Sequence, residues 1–389
     1  MPTTAYENVA GSAEWACLLE CARPVPDAQR LRERLNGAVQ WPLFCDLAEE
    51  HSVLGLAAHA LLDCDPAARP QQAAETLRSW QRSNALFTLL LTAEMFRLFD
   101  AFRNAGIEAL VTKGPALSLR CYGDSGLRQY GDLDLVVREK DITRVTELML
   151  ALAYEAAVPL TAIRANKIPG EYNFRQKSTQ LLVEFHTERT FRYHPRPLPI
   201  ENLFQRRASV SFDGREIPAL SLEDELILIS IHGAKHFWER LSYIADVAAF
   251  VSRQELDWAK VESAAAEVGA ERMLDAALRL AQDVLGAELS EAVAKRVQSN
   301  AALPKLLAPI RRWLPAAGAA PPGLFSRAAF RVRMRGGGFA GLGYLLRLSF
   351  SPTEEDWGAG RAERRRRLLD AVGRPFRLAR KYGHRGRPE

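Results

Sequence analysis

Cysteine is scarce in this sequence, and its five cysteines do not form a recognisable framework. Their number is odd and no Cys-x-x-Cys pair occurs, which argues against a structural zinc site and against a complete set of disulfides. Reduced thiols are the simplest interpretation, and they predict a cytoplasmic protein.

Long apolar runs and targeting signals are also missing. Charge interrupts every apolar stretch before the length of about 18 residues that indicates a membrane-spanning helix. The first residues include the acid Glu7 and lack a basic start followed by an apolar run, so we expect no signal peptide. No P-loop, G-x-G-x-x-G fingerprint or G-x-S-x-G elbow occurs, which argues against the enzyme classes that carry them.

The composition is that of an ordinary globular chain with a large core. Its 389 residues are 48% hydrophobic and 25% charged, which predicts about two or three structural units. The net charge is +5 and the pI is near 9.0. This mild basic excess suits a polyanionic ligand such as a nucleotide or a nucleic acid, but many solvated proteins share it.

The hydrophobic pattern divides the chain into three regions. Residues 1–105 are predicted to be helical, with a long helix over about 74–103. Residues 106–220 are predicted to form an α+β core with a small mixed β-sheet. Residues 221–389 are predicted to be helical, to include a linker over 315–323 and to end in a basic tail.

Within the α+β core, short β-like runs alternate with helical segments. Strands are predicted over 107–112, 133–137 and 180–186, helices over 116–121 and 141–152, and further hairpin elements over 167–175 and 209–217. Ser221 precedes Glu223 and Asp224, which predicts that it caps the next helix. Later helices are predicted over 258–269 and 272–285.

Two carboxylates open the second of these strands. Asp132 and Asp134 are two residues apart, so on a strand they point to the same face, while Leu133 and Leu135 point to the opposite face. Neighbouring carboxylates raise each other's pKa unless a cation lies between them. Mg²⁺ prefers oxygen ligands and phosphate partners, so this pair predicts a magnesium site.

A third carboxylate, Glu184, lies in the 180–186 strand. If that strand neighbours the strand of Asp132 and Asp134, the separation of about 4.8 Å lets Glu184 complete the site. Three carboxylates can hold two metal ions about 3.5–4 Å apart. Each motif alone has an ordinary explanation, such as a solvated turn or a surface strand residue, but their combination favours an active site.

These motifs together resemble the DNA polymerase β-type nucleotidyltransferase fold, and more closely the bacterial uncharacterised nucleotidyltransferase family. The shared features are the Lys113-Gly114 turn, Arg128, the Asp132-x-Asp134 strand and the Glu184-x-His186 strand. Blocks over 222–226, 232–246, 351–357 and 374–382 extend the resemblance towards the C-terminus. Pro115 departs from the wider pattern, in which a serine hydroxyl at this position contacts phosphate; proline also has no N–H to donate.

The resemblance implies a Mg²⁺-dependent enzyme, with two ions and with Mn²⁺ as the alternative, that uses a nucleoside triphosphate (NTP) such as ATP. Asp132, Asp134 and Glu184 are expected to be catalytic and to hold the metal, while Lys113, Gly114 and Arg128 bind phosphates. The acceptor is a hydroxyl or phosphate of a small molecule, glycan, peptide or protein. Kinase-like phosphoryl transfer and a non-catalytic nucleotide-binding or interaction module are the alternatives.

Histidines, a lysine and the arginines of the tail are further candidates outside the carboxylate cluster. His186 shares the face of Glu184 and is an accessory candidate, as are His232, Lys235 and His236. The two later histidines are four residues apart on a predicted helix, and packing or ligand contact is favoured over metal binding because no H-E-x-x-H motif is present. The arginines of the tail, from 364 to 380, suit a solvated helix end better than binding to nucleic acid or to an anionic membrane.

Overall fold

The computed structural model describes residues 9–35, 39–62, 71–164, 168, 170–188, 196–319, 324–335, 341 and 343. These residues form an α+β protein in which helices precede and follow, along the sequence, the region that forms a seven-stranded mixed sheet. The predicted fold class is therefore confirmed. None of the described helices has both the length and the apolar character needed to cross a membrane.

The N-terminal helices end in one very long helix. The five helices are α1 (Ala13–Cys21), α2 (Ala28–Leu35), α3 (Trp41–Glu50), α4 (Leu54–Leu62) and α5 (Gln71–Asn104). Helix α5 contains the predicted 74–103 helix and, with 34 residues, is about 50 Å long. Leu77 packs into a helical core near its start, whereas Leu91, Met95 and Leu98 pack under the sheet.

The sheet has the order β3-β4-β5-β2-β1-β7-β6. Its strands are β1 (Leu110–Thr112), β2 (Asp132–Val136), β3 (Tyr154–Ala156), β4 (Glu171–Gln176), β5 (Leu182–His186), β6 (Ala208–Phe212) and β7 (Arg215–Ala219). The helices between them are α6 (Gly114–Tyr122), α7 (Ile142–Ala151), α8 (Leu160–Arg164) and α9 (Ile200–Gln205). Strand β2 is central, antiparallel to β1 and parallel to β5.

The predicted elements of this region are present with shifted ends. The first strand is shorter than 107–112, and the following helix starts two residues before 116. The predicted 209–217 element is a hairpin in which Asp213 and Gly214 have φ of 49° and 87°, as a two-residue turn of this kind requires. Of the predicted 167–175 element, β4 is described and residue 167 lies outside the described residues.

Helices return after the sheet. They are α10 (Leu222–Lys235), α11 (Leu241–Arg253), α12 (Trp258–Val268), α13 (Glu271–Leu285), α14 (Glu291–Ser299), α15 (Leu303–Trp313) and α16 (Leu324–Met334). The predicted cap of α10 is confirmed, because Ser221 Oγ accepts a hydrogen bond from the Asp224 amide at 3.1 Å. The prediction of a linker over 315–323 is wrong for residues 315–319, which belong to a 3₁₀-helix. The arginine-rich tail and the 351–357 block lie outside the described residues.

The two helical regions share one hydrophobic core. Leu18 and Leu47 from the N-terminal helices belong to the same buried cluster as Leu226, Phe250 and Leu278 from the C-terminal helices. A separate cluster lies between the sheet and the second half of α5. The division of the chain at residues 105 and 220 stays a prediction, and the shared core places α10 and α11 beside the α+β core.

Candidate active site

The acidic residues of the sheet meet on neighbouring strands. In the parallel pairing of β2 with β5, Asp134 lies directly opposite Glu184, and in the antiparallel pairing of β1 with β2 it lies opposite Thr112. Leu133 and Leu135 are fully buried on the other face, as the alternation of a strand requires. The predicted adjacency of the Asp-x-Asp strand and the Glu184 strand is therefore confirmed.

Asp134 is the centre of a buried polar cluster. The residue is only 3% exposed, and its Oδ1 lies 2.9 Å from Lys113 Nζ and 2.9 Å from His186 Nε2. Neither contact uses Oδ2. Lys113 comes from the turn after β1 and His186 from the end of β5, so three separate segments converge on this carboxylate.

A set of metal-ligand atoms surrounds the same point. Among the described residues, ligand atoms of Asp134, Glu184 and His186 all lie within 4.8 Å of one another. The structure thus brings together two of the three predicted ligands and places His186 with them, while Asp132 lies at the entrance of the strand. Carboxylate oxygens suit Mg²⁺ and Mn²⁺, and an imidazole nitrogen suits transition metals better, so the donor set fits a divalent cation.

The two aspartates have opposite electrostatic environments. Burial, reinforced by the negative charge of Asp134, raises the pKa of Asp132 to about 6. Burial also opposes ionisation of Asp134, but the charge of Lys113 and the hydrogen bond with His186 outweigh it, so the pKa of Asp134 falls below its usual range. Asp134 is therefore firmly ionised, whereas the charge on Asp132 is poorly compensated.

This excess of negative charge also affects the pKa values of Glu184 and His186. Burial raises the pKa of Glu184, and the nearby charge of Asp134 adds to the effect. For His186 burial favours the neutral ring, but the carboxylates of Glu184 and Asp134 outweigh it and raise its pKa. A bound cation would relieve the repulsion among these carboxylates.

The turn that carries Lys113 is strained. Lys113 has φ 54° and ψ −149°, a backbone conformation that residues with a side chain rarely adopt and that costs about 1–3 kcal/mol. Gly114 follows with φ 50°, and a Cβ at this position would lie 3.4 Å from the backbone oxygen of Asp132. The turn aims the Lys113 ammonium at the carboxylates and brings the positive end of α6 beside them.

Arg128 is held by contacts within the protein rather than being free, as a phosphate-binding side chain would be. Its Nε donates to Asp246 Oδ2 at 2.8 Å, and the hydroxyl of Tyr122 donates to Oδ1 of the same carboxylate at 2.9 Å. Burial works against the charged guanidinium, but Asp246 outweighs it and raises the pKa of Arg128. Its charge still lowers the pKa of Asp132, so Arg128 lies close to the acidic cluster.

His232 on α10 and His236, the C-cap of that helix, lie close enough to Lys113 for its charge to act on them. The rings of His232 and His236 are 4.8 Å apart between centroids, which confirms that they share one helix face. Burial lowers the pKa of both residues, that of His236 to about 3, and the charges of Lys113 and Lys235 add to the effect. Both imidazoles are therefore neutral near pH 7.

Sequence reasoning missed two residues of this region. Tyr243, on α11, stands 5.2 Å from His232 and 5.4 Å from His236 between ring centroids. Thr112, opposite Asp134, has a buried hydroxyl without a hydrogen-bond partner among the described residues. The position of Thr112 at the end of the strand before the Lys-Gly turn could have indicated this residue from the sequence. No local sequence feature indicates Tyr243.

Two comparisons with known proteins give matches to this chain. The model of a family described as uncharacterised nucleotidyltransferase matches residues 37–286, which include every candidate site residue. Among solved structures, the chain is similar to an antigenic nucleotidyltransferase-like protein from Paracoccidioides brasiliensis, at 17% identity and a TM-score of 0.30, over 50% of this chain and 92% of that chain. No curated protein gives a significant match.

Proposed function

Since the chain belongs to the uncharacterised nucleotidyltransferase family, we propose that it transfers a nucleoside monophosphate from an NTP such as ATP to an acceptor. The acceptor carries a hydroxyl or phosphate and is a small molecule, glycan, peptide or protein. Membership of the DNA polymerase β-type superfamily, a bacterial source and a cytoplasmic location belong to the same proposal.

The observation that carries this proposal is the pairing of Asp134 with Glu184 across β2 and β5, with Lys113 in contact with Asp134. A purely structural cluster would balance its charges, as Lys113 and His186 do for Asp134. Here the burial of Asp132 and the charge of Asp134 leave an acidic group with a raised pKa at the strand entrance. Such uncompensated carboxylates are typical of sites that bind cations and phosphates.

In the proposed reaction an acceptor oxygen forms a bond to the α-phosphorus of the NTP. The bond from that phosphorus to the oxygen bridging the α- and β-phosphates breaks, and pyrophosphate leaves. The acceptor's proton passes to Glu184, a carboxylate whose affinity for a proton is increased because burial raises its pKa. Lys113 and the start of α6 hold the phosphates in place, and Arg128 contributes its charge from its position against Asp246.

The cation we propose is Mg²⁺, with Mn²⁺ as the alternative. Asp132, Asp134 and Glu184 would hold up to two ions, and His186 is close enough to Asp134 and Glu184 to join them. Bound ions would activate the acceptor and neutralise the charge that develops on the leaving pyrophosphate.

The first test is thermal unfolding of the full chain with ATP, GTP, CTP and UTP, each with and without Mg²⁺. A ligand at 100 times its dissociation constant stabilises a protein by about 2.7 kcal/mol. The proposal predicts a nucleotide shift that requires the metal and disappears in Asp134→Asn. A well-folded wild type without any nucleotide shift would favour the non-catalytic interaction module instead.

The second test distinguishes nucleotidyl from phosphoryl transfer. The protein is incubated with cell extract and with NTP labelled at either the α- or the γ-phosphate. Label from the α-position on the acceptor supports the proposal, whereas label from the γ-position only would establish a kinase-like reaction. Asp134→Asn serves as the control for transfer by contaminating enzymes.

A further inference from the structure

Three aromatic side chains form a cluster beside the candidate active site. His236 and Tyr243 stack with an interplanar angle of 23° and a centroid separation of 5.4 Å, and His232 meets Tyr243 edge-on at 79°. His232 lies in the last turn of α10, His236 is the C-cap of that helix, and Tyr243 comes from the first turn of α11.

The turn between the helices fixes this arrangement. Phe237 and Trp238 both have positive φ, 59° and 46°, and both are buried. The indole of Trp238 lies against Gly233, where a Cβ would be 2.3 Å from its nitrogen. Glycine is therefore required at this point of α10, and the tight reversal brings Tyr243 back over the histidines.

The three rings are only partly buried, unlike their neighbours. Phe237, Trp238 and the first residue of α11 are at most 2% exposed, whereas His232, His236 and Tyr243 retain exposed surface. No hydrogen bond joins the polar atoms of these three side chains to any part of the chain that the structure describes. The cluster therefore retains some exposed surface and has polar atoms without a hydrogen-bond partner in the described part of the chain.

Its location relates it to the phosphate-binding residues. Tyr243 lies one turn before Asp246 on α11, and Asp246 Oδ2 accepts a hydrogen bond from Arg128 Nε at 2.8 Å. The charge of Lys113 also acts on both histidines. Because both imidazoles are neutral near pH 7, they add no further positive charge. They can offer both a donor and an acceptor to the edge of a heterocycle.

We propose that His232, His236 and Tyr243 form the surface on which the base of the nucleoside triphosphate stacks. This inference rests on the proposed function, since it assumes that the triphosphate lies at Lys113 and the carboxylates. The base lies against the rings, and the phosphates extend towards the turn before α6. Aromatic rings accept any base because every base has a π-face, so the cluster supplies affinity rather than strict base selection.

The test compares a ligand that has a base with one that lacks it. Dissociation constants of Mg·ATP and of Mg·tripolyphosphate are measured by calorimetry on the full-length wild type, His236→Ala, Tyr243→Ala and Tyr243→Phe. Loss of one stacking ring weakens base binding by roughly 5- to 100-fold. We expect that loss for ATP in both alanine variants, no change for tripolyphosphate, and near-normal ATP binding in Tyr243→Phe.

A fluorescent probe adds a readout that a general loss of structure would not reproduce. The riboside triphosphate of 2-aminopurine loses fluorescence when its base stacks on an aromatic ring. We expect quenching by the wild type and by Tyr243→Phe but not by Tyr243→Ala, with circular dichroism showing that all variants are folded.

The outcomes separate the inference from the function on which it rests. Equal ATP affinity in the wild type and both alanine variants, or equal losses for ATP and tripolyphosphate, would overturn the stacking surface and leave the phosphate site standing. Wild-type protein that binds neither ligand in the presence of Mg²⁺ would overturn both.

Discussion

The two aspartates of β2 should respond oppositely to the same substitution when metal is absent. Because the pKa of Asp132 is raised to about 6 in the folded protein, this group stabilises the fold fully below about pH 4. That contribution is lost as the pH rises to about 6. Asparagine carries no charge at any pH, so Asp132→Asn should restore the lost stability at pH 7.5.

The magnitude follows from the size of the shift. A change of one pKa unit corresponds to about 1.4 kcal/mol, so a rise from 3.8 to about 6 corresponds to about 3 kcal/mol at most. For a chain of 389 residues the entropy of unfolding converts this to a rise in Tm of about 4 °C at most. The measurement is thermal unfolding in EDTA at pH 7.5.

Asp134→Asn should act in the opposite direction. The lowered pKa of Asp134 means that its ionised form stabilises the protein above about pH 4, and asparagine removes that contribution at pH 7.5. Lys113, whose side chain is 14% exposed, would also lose its ion-pair partner. Removing one partner of a buried pair costs about 3–5 kcal/mol, so the Tm should fall by several degrees.

The two variants should share one response to Mg²⁺, because neither should show the metal-dependent rise in Tm of the wild type. Equal destabilisation of both variants in EDTA would refute the electrostatic reasoning. A full metal-dependent rise in Asp132→Asn would remove that residue from the proposed metal site.

Three further predictions concern the surrounding framework. Gly114→Ala should lower the free energy of unfolding by about 1 kcal/mol because φ is positive there. The control Gly131→Ala should not, because a Cβ at that position meets no atom within 4 Å. Equal losses of stability for the two variants in thermal melts would contradict the strain argument. The raised pKa of His186 means that its contribution is present below pH 6.5 and is lost as the pH rises through the folded-state pKa. A series of melts in EDTA should therefore show this decline in the wild type and not in His186→Gln. Asp246→Asn should lower the free energy of unfolding by about 3 kcal/mol because it leaves Arg128 buried without its partner. Denaturant titrations of the double variant with Arg128→Met should show that part of this loss is recovered. Additive losses in the double variant would argue against a coupled pair.

The acidic part of the candidate site was predictable because it depends on local regularities. Alternation along a strand places Asp132 and Asp134 on one face, and a single assumption about neighbouring strands adds Glu184. The contact of His186 with Asp134 follows from the same geometry, since His186 is two residues beyond Glu184. Side chains fixed by strand period and strand pairing need no knowledge of helix packing.

The rest depends on how distant helices meet, which no local pattern encodes. Arg128 and Asp246 are 118 residues apart in sequence, so the sequence suggested a phosphate ligand where the structure shows a buried ion pair. Strand β7 pairs in parallel with β1 after almost the whole α+β region has intervened. Tyr243 joins the histidines only because two consecutive residues with positive φ reverse the chain before α11.

The N-terminal helices take part in the site through the start of α11. His51 Nδ1 accepts a hydrogen bond from the amide of Leu241 at 3.1 Å, and the carbonyl of His51 accepts one from Ser242 at 3.1 Å. Burial lowers the pKa of His51 to about 4, so its ring stays neutral and Nδ1 remains able to accept. Two of the otherwise unsatisfied amides at the start of α11 are thus held by a residue nearly 200 positions earlier. Because Tyr243 is the next residue and Asp246 lies one turn further along α11, the shared helical core positions both the ring cluster and the partner of Arg128.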